Sequence, residues 1–165
     1  MGFVTRCAFL ALLLTCYLTV GMASAATWTV QEVKSPKGAT SARLSAVSCS
    51  SSEFCTAAGS YTTTAGRLEL AELWNGKEWS ARVTKTSPGS ELLGVSCPSE
   101  WCMAVGYLNG TELVARTVYW TKSGATGEYP NPPLPVEAKS PVLRGVSCVA
   151  SESCIAVGSY LNKEG

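Results

Sequence analysis

Two residue types are missing from this chain of 165 amino acids: it contains no Asp and no His. All 12 of its acidic groups are therefore Glu. These absences exclude a Ser-His-Asp triad, a His-ligated zinc site, an EF-hand loop and a His general base. Charge is scarce as well. Charged residues make up 15% of the chain and hydrophobic ones 46%, a balance that builds a core and does not sustain long disorder. The net charge of +1 gives no electrostatic reason to bind nucleic acid or an anionic membrane.

A long apolar span is also lacking. Residues 7–20 form an uncharged, mostly apolar run of 14 residues, short of the roughly 20 that a spanning helix needs. Arg6 precedes it, and Gly21, Met22 and the small-x-small triplet Ala23-Ser24-Ala25 follow. This is the pattern of a secretory signal peptide, residues 1–25, cut between Ala25 and Ala26. Thr15 is a poor residue before a lipidated Cys16. The mature chain is expected to be secreted, with no membrane attachment after cleavage. Cleavage removes Arg6, Cys7 and Cys16, leaving 12 basic and 12 acidic groups and six of the eight cysteines. An even number of cysteines in an oxidising compartment predicts three disulfides.

What is present is a repeat. The six cysteines fall in three pairs: Cys49 and Cys55, Cys97 and Cys102, Cys148 and Cys154. The first members lie 48 and 51 residues apart. Around them the chain reads LSAVSCSSSEFCTAAGSY (44–61), LLGVSCPSEWCMAVGYL (92–108) and LRGVSCVASESCIAVGSYL (143–161). Segments starting with Leu68 and Leu113 and ending at Trp74 and Trp120 follow the first two pairs, then Trp79 and Tyr129, then Ser87-Pro88 and Ser140-Pro141. Trp28 followed by Ser35-Pro36 supplies that last piece alone at the start of the mature chain.

Each quarter of the repeat is short, rich in Val, Leu, Thr, Tyr and Trp, and bounded by Gly, Asn, Ser or Pro, as strands are. Asn75-Gly76 and Asn109-Gly110 are hairpin signals, because a tight turn there wants positive φ at both residues. Four strands per repeat of this length predict the antiparallel blade of a β-propeller. The runs Cys102-Met-Ala-Val-Gly and Cys154-Ile-Ala-Val-Gly are continuously apolar, as in strands covered on both faces. The small residues Ala57 and Gly59, Ala104 and Gly106, Ala156 and Gly158 share one face at period two and are expected to let neighbouring blades approach. The expected fold is all-β, a partial propeller of about two and a half repeats: residues 26–43 an outer strand, 44–91 and 92–142 full repeats, 143–165 a partial one. That inventory is one strand, then four, four and two. The missing blades are expected from a longer chain or another subunit. Without them a strand edge and an apolar face stand open.

Pairing within each repeat is the simplest connectivity, since facing Cα atoms across a hairpin lie near the disulfide range. No His completes a zinc set, and the spacings are not that of a redox motif. The string Gly-Val-Ser-Cys, four or five residues, then Cys-x-Ala-Val-Gly and a Trp-ended strand resembles the repeat of secreted bacterial β-propeller-like proteins, over nearly all of residues 26–165. It is remotely similar to sialidase-type propellers, whose hallmark is an Asp-containing turn ahead of a Trp; this chain has no Asp.

Candidate binding residues sit between the paired cysteines: Glu53, Glu100 and Glu152, with Phe54 and Trp101 beside two of them. A carboxylate ring could hold calcium or a basic partner, but calcium wants six or more oxygens close together, and a solvated turn is the simpler expectation. Aromatics on loops contact sugars and proteins at little entropy cost. The mid-strand acids Glu69 and Glu72 are three apart and face opposite sides of a strand, so they cannot make a facing acid–base pair. No catalytic residue, metal or cofactor is expected. The expected function is a non-catalytic binding or scaffold module with a cell-surface glycan or protein as ligand. The alternatives are a fragment of a secreted glycoside-hydrolase-like propeller and a truncated product without activity of its own.

Overall fold

The computed structural model describes residues 27–82 and 88–163; the signal segment and its Ala25–Ala26 junction lie outside the described residues. The chain divides into two units, Met1–Gln31 and Glu32–Gly165. In the first, residues 27–31 are irregular, and Trp28 and Val30 are exposed. In the second, all regular structure among the described residues is strand.

Strands β1 (Ser41–Ser51), β2 (Phe54–Thr63), β3 (Gly66–Trp74) and β4 (Trp79–Arg82) form one antiparallel sheet in that order, here sheet A. Sheet B repeats the arrangement with β5 (Ser90–Ser96), β6 (Trp101–Asn109), β7 (Leu113–Thr121) and β8 (Thr126–Glu128). Sheet C has two strands, β9 (Lys139–Ala150) and β10 (Ser153–Leu161). Hairpin register sets the disulfides. Cys49 faces Cys55 and Cys148 faces Cys154 across their hairpins. Cys97 and Cys102 follow the facing pair Ser96 and Met103. The bonds are Cys49–Cys55, Cys97–Cys102 and Cys148–Cys154, with Cα atoms 3.9, 4.1 and 4.0 Å apart.

The sheets stack face to face. Between A and B lie Phe54 and Leu73 from one side and Leu92, Val95 and Trp120 from the other. Between B and C lie Met103, Val105 and Ala115 against Leu143 and Val146. The β6 run is apolar throughout because it serves both layers: Cys102 and Ala104 point to sheet A, Met103 and Val105 to sheet C. One hydrogen bond recurs at both junctions. The Cys97 N–H donates to Ser48 Oγ at 3.0 Å, and the Cys148 N–H donates to Ser96 Oγ at 2.9 Å. In each case the Ser of one Val-Ser-Cys motif receives the Cys amide of the next, so C stands on B as B stands on A.

Three expectations change. The outer strand over residues 26–43 is not there: residues 27–40 form no strand, and pairing starts at Ser41. An outer strand needs a third strand beside it, and no described segment supplies one. The recurring glycine spares a clash inside its own sheet. A Cβ at Gly59, Gly106 or Gly158 would run into the carbonyl of Arg43, Glu91 or Val142 on the first strand, each beside an irregularity in the pairing. Close approach between sheets falls to another glycine: a Cβ on Gly94 would lie 2.9 Å from the Gly145 Cα. Finally, Asn75-Gly76 makes a turn of residues 75–78 with positive φ at Gly76 and not at Asn75. The Asn75 side chain holds it by accepting the Lys77 and Glu78 amides at 3.0 Å each.

Candidate functional site

The three turns between paired cysteines close equivalent hairpins, so the stacking places them at one end of the molecule. Glu53, Glu100 and Glu152 are all exposed there. Glu53 and Glu100 share a lysine, and Glu152 has a partner of its own. Glu100 accepts from Lys122 Nζ at 2.6 Å, which holds that ammonium above its usual pKa, with Glu53 adding to the effect. Glu152, with a left-handed φ of 67°, accepts from the Tyr129 hydroxyl at 2.9 Å. Lost hydration and this bond raise the Tyr129 pKa. Among the described residues no group of three or more His, Cys, Asp and Glu side chains is placed to hold a metal ion.

The two turn aromatics part company. Phe54 is 2% exposed, buried between sheets A and B, with Lys122 Nζ 5.9 Å from its ring centroid. It is a core residue and not a loop-surface contact, because sheet B lies over the face of sheet A that carries it. Trp101 occupies the same position in sheet B and stays half-buried. It stacks on Tyr119, with centroids 6.2 Å apart and planes 20° apart. Tyr129 meets both rings edge-on, at 6.2 Å from Trp101 and 5.2 Å from Tyr119. The result is a three-ring aromatic cluster beside the Glu152 carboxylate. Ser153 stands at the third equivalent position and is exposed.

Carboxylates that the sequence offered as remote mid-strand acids prove to be buried between or on the sheets. Glu69 on β3 is fully buried and accepts from Arg116 Nε at 3.0 Å and Nη2 at 3.3 Å. Arg116 also reaches Glu128 at 2.7 Å. Burial opposes the guanidinium charge, but the two carboxylates outweigh it and its pKa is raised. Glu91 accepts from Arg67 and from the Tyr107 hydroxyl, each at 2.8 Å. Glu72 lies on the opposite face from Glu69, as strand alternation requires. It is 1% exposed, neither carboxyl oxygen has a hydrogen-bond partner among the described residues, and desolvation pushes its pKa up to about 7. One signal could have found the Glu69–Arg116 pair: the two residues are 47 apart, close to one repeat. No protein-family model, curated protein or solved structure matches the chain.

Proposed function

We propose that this chain is a secreted β-propeller repeat module with a non-catalytic binding or scaffold role at or outside the cell surface. Residues 1–25 direct export and are removed. Sheets A and B are then consecutive blades, and sheet C is the inner half of a third. The observation that carries the array reading is the recurring Cys-amide-to-Ser bond between successive sheets. The three disulfides suit an oxidising compartment. Blades beyond these come from a longer chain or from another subunit.

Ligand contact falls to the turn end, through Trp101, Tyr119 and Tyr129 with Glu152 at their edge. Stacked rings beside a carboxylate suit a sugar face with its hydroxyls, or a protein loop. A hydrolase reading needs two carboxyls facing each other across a bond. Glu69 and Glu72 point to opposite faces, and Arg116 occupies Glu69. Screening the mature chain on a glycan array, on extracellular proteins and on chromogenic glycosides tests the reading. Binding that weakens at least about tenfold in Trp101→Ala, without turnover, is the expected result. Turnover abolished by a Glu→Gln change would refute it.

A further inference from the structure

Sheets A and B each have a third strand with a Trp near its C-terminal end, opposite the second cysteine: Trp74 faces Cys55 and Trp120 faces Cys102. Trp120 is fully buried, and its indole N–H donates to Thr56 Oγ1 of sheet A at 3.2 Å. Sheet C stops at two strands among the described residues, and β10 pairs on one edge only. Beside that free edge is a cleft of about 390 Å³. Met103, Val105 and Thr117 form its wall on sheet B, and Cys154, Ala156 and Gly158 its wall on sheet C.

These positions have exact counterparts one repeat earlier, where Thr56, Ala58 and Ala71 stand on sheet A and Cys102, Ala104 and Gly106 on sheet B. There the corresponding space is taken by β7, whose Val118 and Trp120 complete the core. The cleft therefore has the lining of a site for a third strand. Pro130, Pro132, Pro133 and Leu134, from a nearby segment of the same chain, also line it. Pro130, Pro132 and Pro133 have no N–H, so this segment cannot serve as a ladder partner for β10.

We propose that the cleft is a strand-acceptor site. It receives a β-strand that pairs antiparallel with β10 and ends in an aromatic residue, Trp best, seated opposite Cys154 and over Met103. The commitment to this partner comes from continuity with the interface between A and B, and from polarity. Cys154 lies at the start of β10, so an antiparallel strand must carry its aromatic at its C-terminal end. The exposed Trp28 of a second copy lies at the start of the TWTVQEV stretch and has the wrong polarity. Met103 replaces Thr56, so the indole N–H needs a different acceptor. Trp74 indicates which: its Nε1 donates to the Ser52 carbonyl in the turn at 3.0 Å, and Ser151 is the equivalent residue in sheet C. This inference deepens the repeat-array reading and rests on it.

The test uses the full chain and a labelled peptide with the β7 sequence LVARTVYWT. Anisotropy should show saturable binding, with the Trp120→Ala version of the peptide at least about tenfold weaker. Ala156→Trp fills the cleft from an exposed position, so this protein should keep its melting temperature and lose the peptide. Equal binding of the two peptides, no binding, or undiminished binding to Ala156→Trp overturns the proposal. So does a dimer that covers β10 and excludes the peptide. Hydrogen exchange at the Cys148 amide separates the two readings: protection without peptide binding removes the acceptor site and leaves the array, whereas an unprotected Cys148 amide removes both.

Discussion

Sheets B and C carry nearly the same motif and end in different surroundings. Val105 in β6 is 0% exposed, while its counterpart Val157 in β10 is 64% exposed. Sheet B is covered on both faces, by A and by C. Sheet C is covered on one, and Val149, Ile155, Val157 and Leu161 form its open apolar face. Burial here is thus a property of position in the stack. The strand sequence encodes a need for two neighbours, and among the described residues only the middle sheet has them.

The sharpest way to break this comparison is at the third-strand Trp. Trp120 fills the layer between A and B, so Trp120→Ala should cost about 3–5 kcal/mol through lost transfer and a cavity. Trp74 holds the same place in sheet A, half-buried and packed on Trp79 with centroids 5.5 Å apart. Trp74→Ala should cost about 1 kcal/mol, the range of one aromatic pair. Urea denaturation of both variants measures the gap, and equal losses would show that the two positions do not differ. The charged contacts follow the same rule. Arg116→Ala removes the ion-pair partner of the buried Glu69 and should cost about 3–5 kcal/mol. Lys163→Ala breaks only the exposed pair with Glu137 and should cost less than about 1 kcal/mol.

A smaller effect depends on pH. Glu72 in sheet A stands where sheet B has Val118, opposite the equivalent residues Ala57 and Ala104. Its pKa is raised from 4.5 to about 7, so the folded chain holds a proton that the unfolded chain has released. Stability must then fall as pH rises from 4.5 towards 7 and stay low above it. At 1.36 kcal/mol per unit the penalty is on the order of 3 kcal/mol. Glu72→Gln should match the wild type near pH 4 and exceed it by about that amount at pH 8. Parallel stability profiles across this range would dispose of the claim.

Much of the local fold was legible in the sequence, because hairpin pairing is short-range. The spacing of Cys49 and Cys55, and of the other two pairs, anticipated the bonds, and the unbroken apolar run at Cys102 anticipated a strand with no wet face. What escaped depends on neighbours one repeat away. Phe54 read as a loop aromatic because its sequence is a turn; sheet B is what buries it. Gly59 read as a spacer between sheets because period two gives its face, while the pairing irregularity near Arg43 that demands it lies on another strand. Residues 27–40 have strand composition and form no strand, because no third strand lies beside them among the described residues. In the candidate site, Glu53, Glu100, Trp101 and Glu152 were visible in the turns. Their companions Tyr119, Lys122 and Tyr129 come from later quarters of the same repeat.

The smallest expected difference concerns the Ser of the Val-Ser-Cys motif, and it isolates stacking from everything else. Ser48 and Ser96 each accept the Cys amide of the following sheet. Ser147 is the third member of the series, and it is exposed on β9 with no following sheet among the described residues. The three sites have the same local sequence, so strand propensity and hairpin geometry cancel between them. Ser96→Ala leaves the Cys148 amide without its acceptor in a partly buried place, and should cost about 1 kcal/mol. Ser147→Ala removes a hydroxyl that meets solvent, and surface changes of this kind stay within about 0.5 kcal/mol. Hydrogen exchange adds a local readout. The Cys148 amide should exchange several-fold faster in Ser96→Ala and keep its wild-type rate in Ser147→Ala. If Ser147→Ala proves as costly as Ser96→Ala, then a further sheet already rests on β9, and the open face described for sheet C is covered in solution.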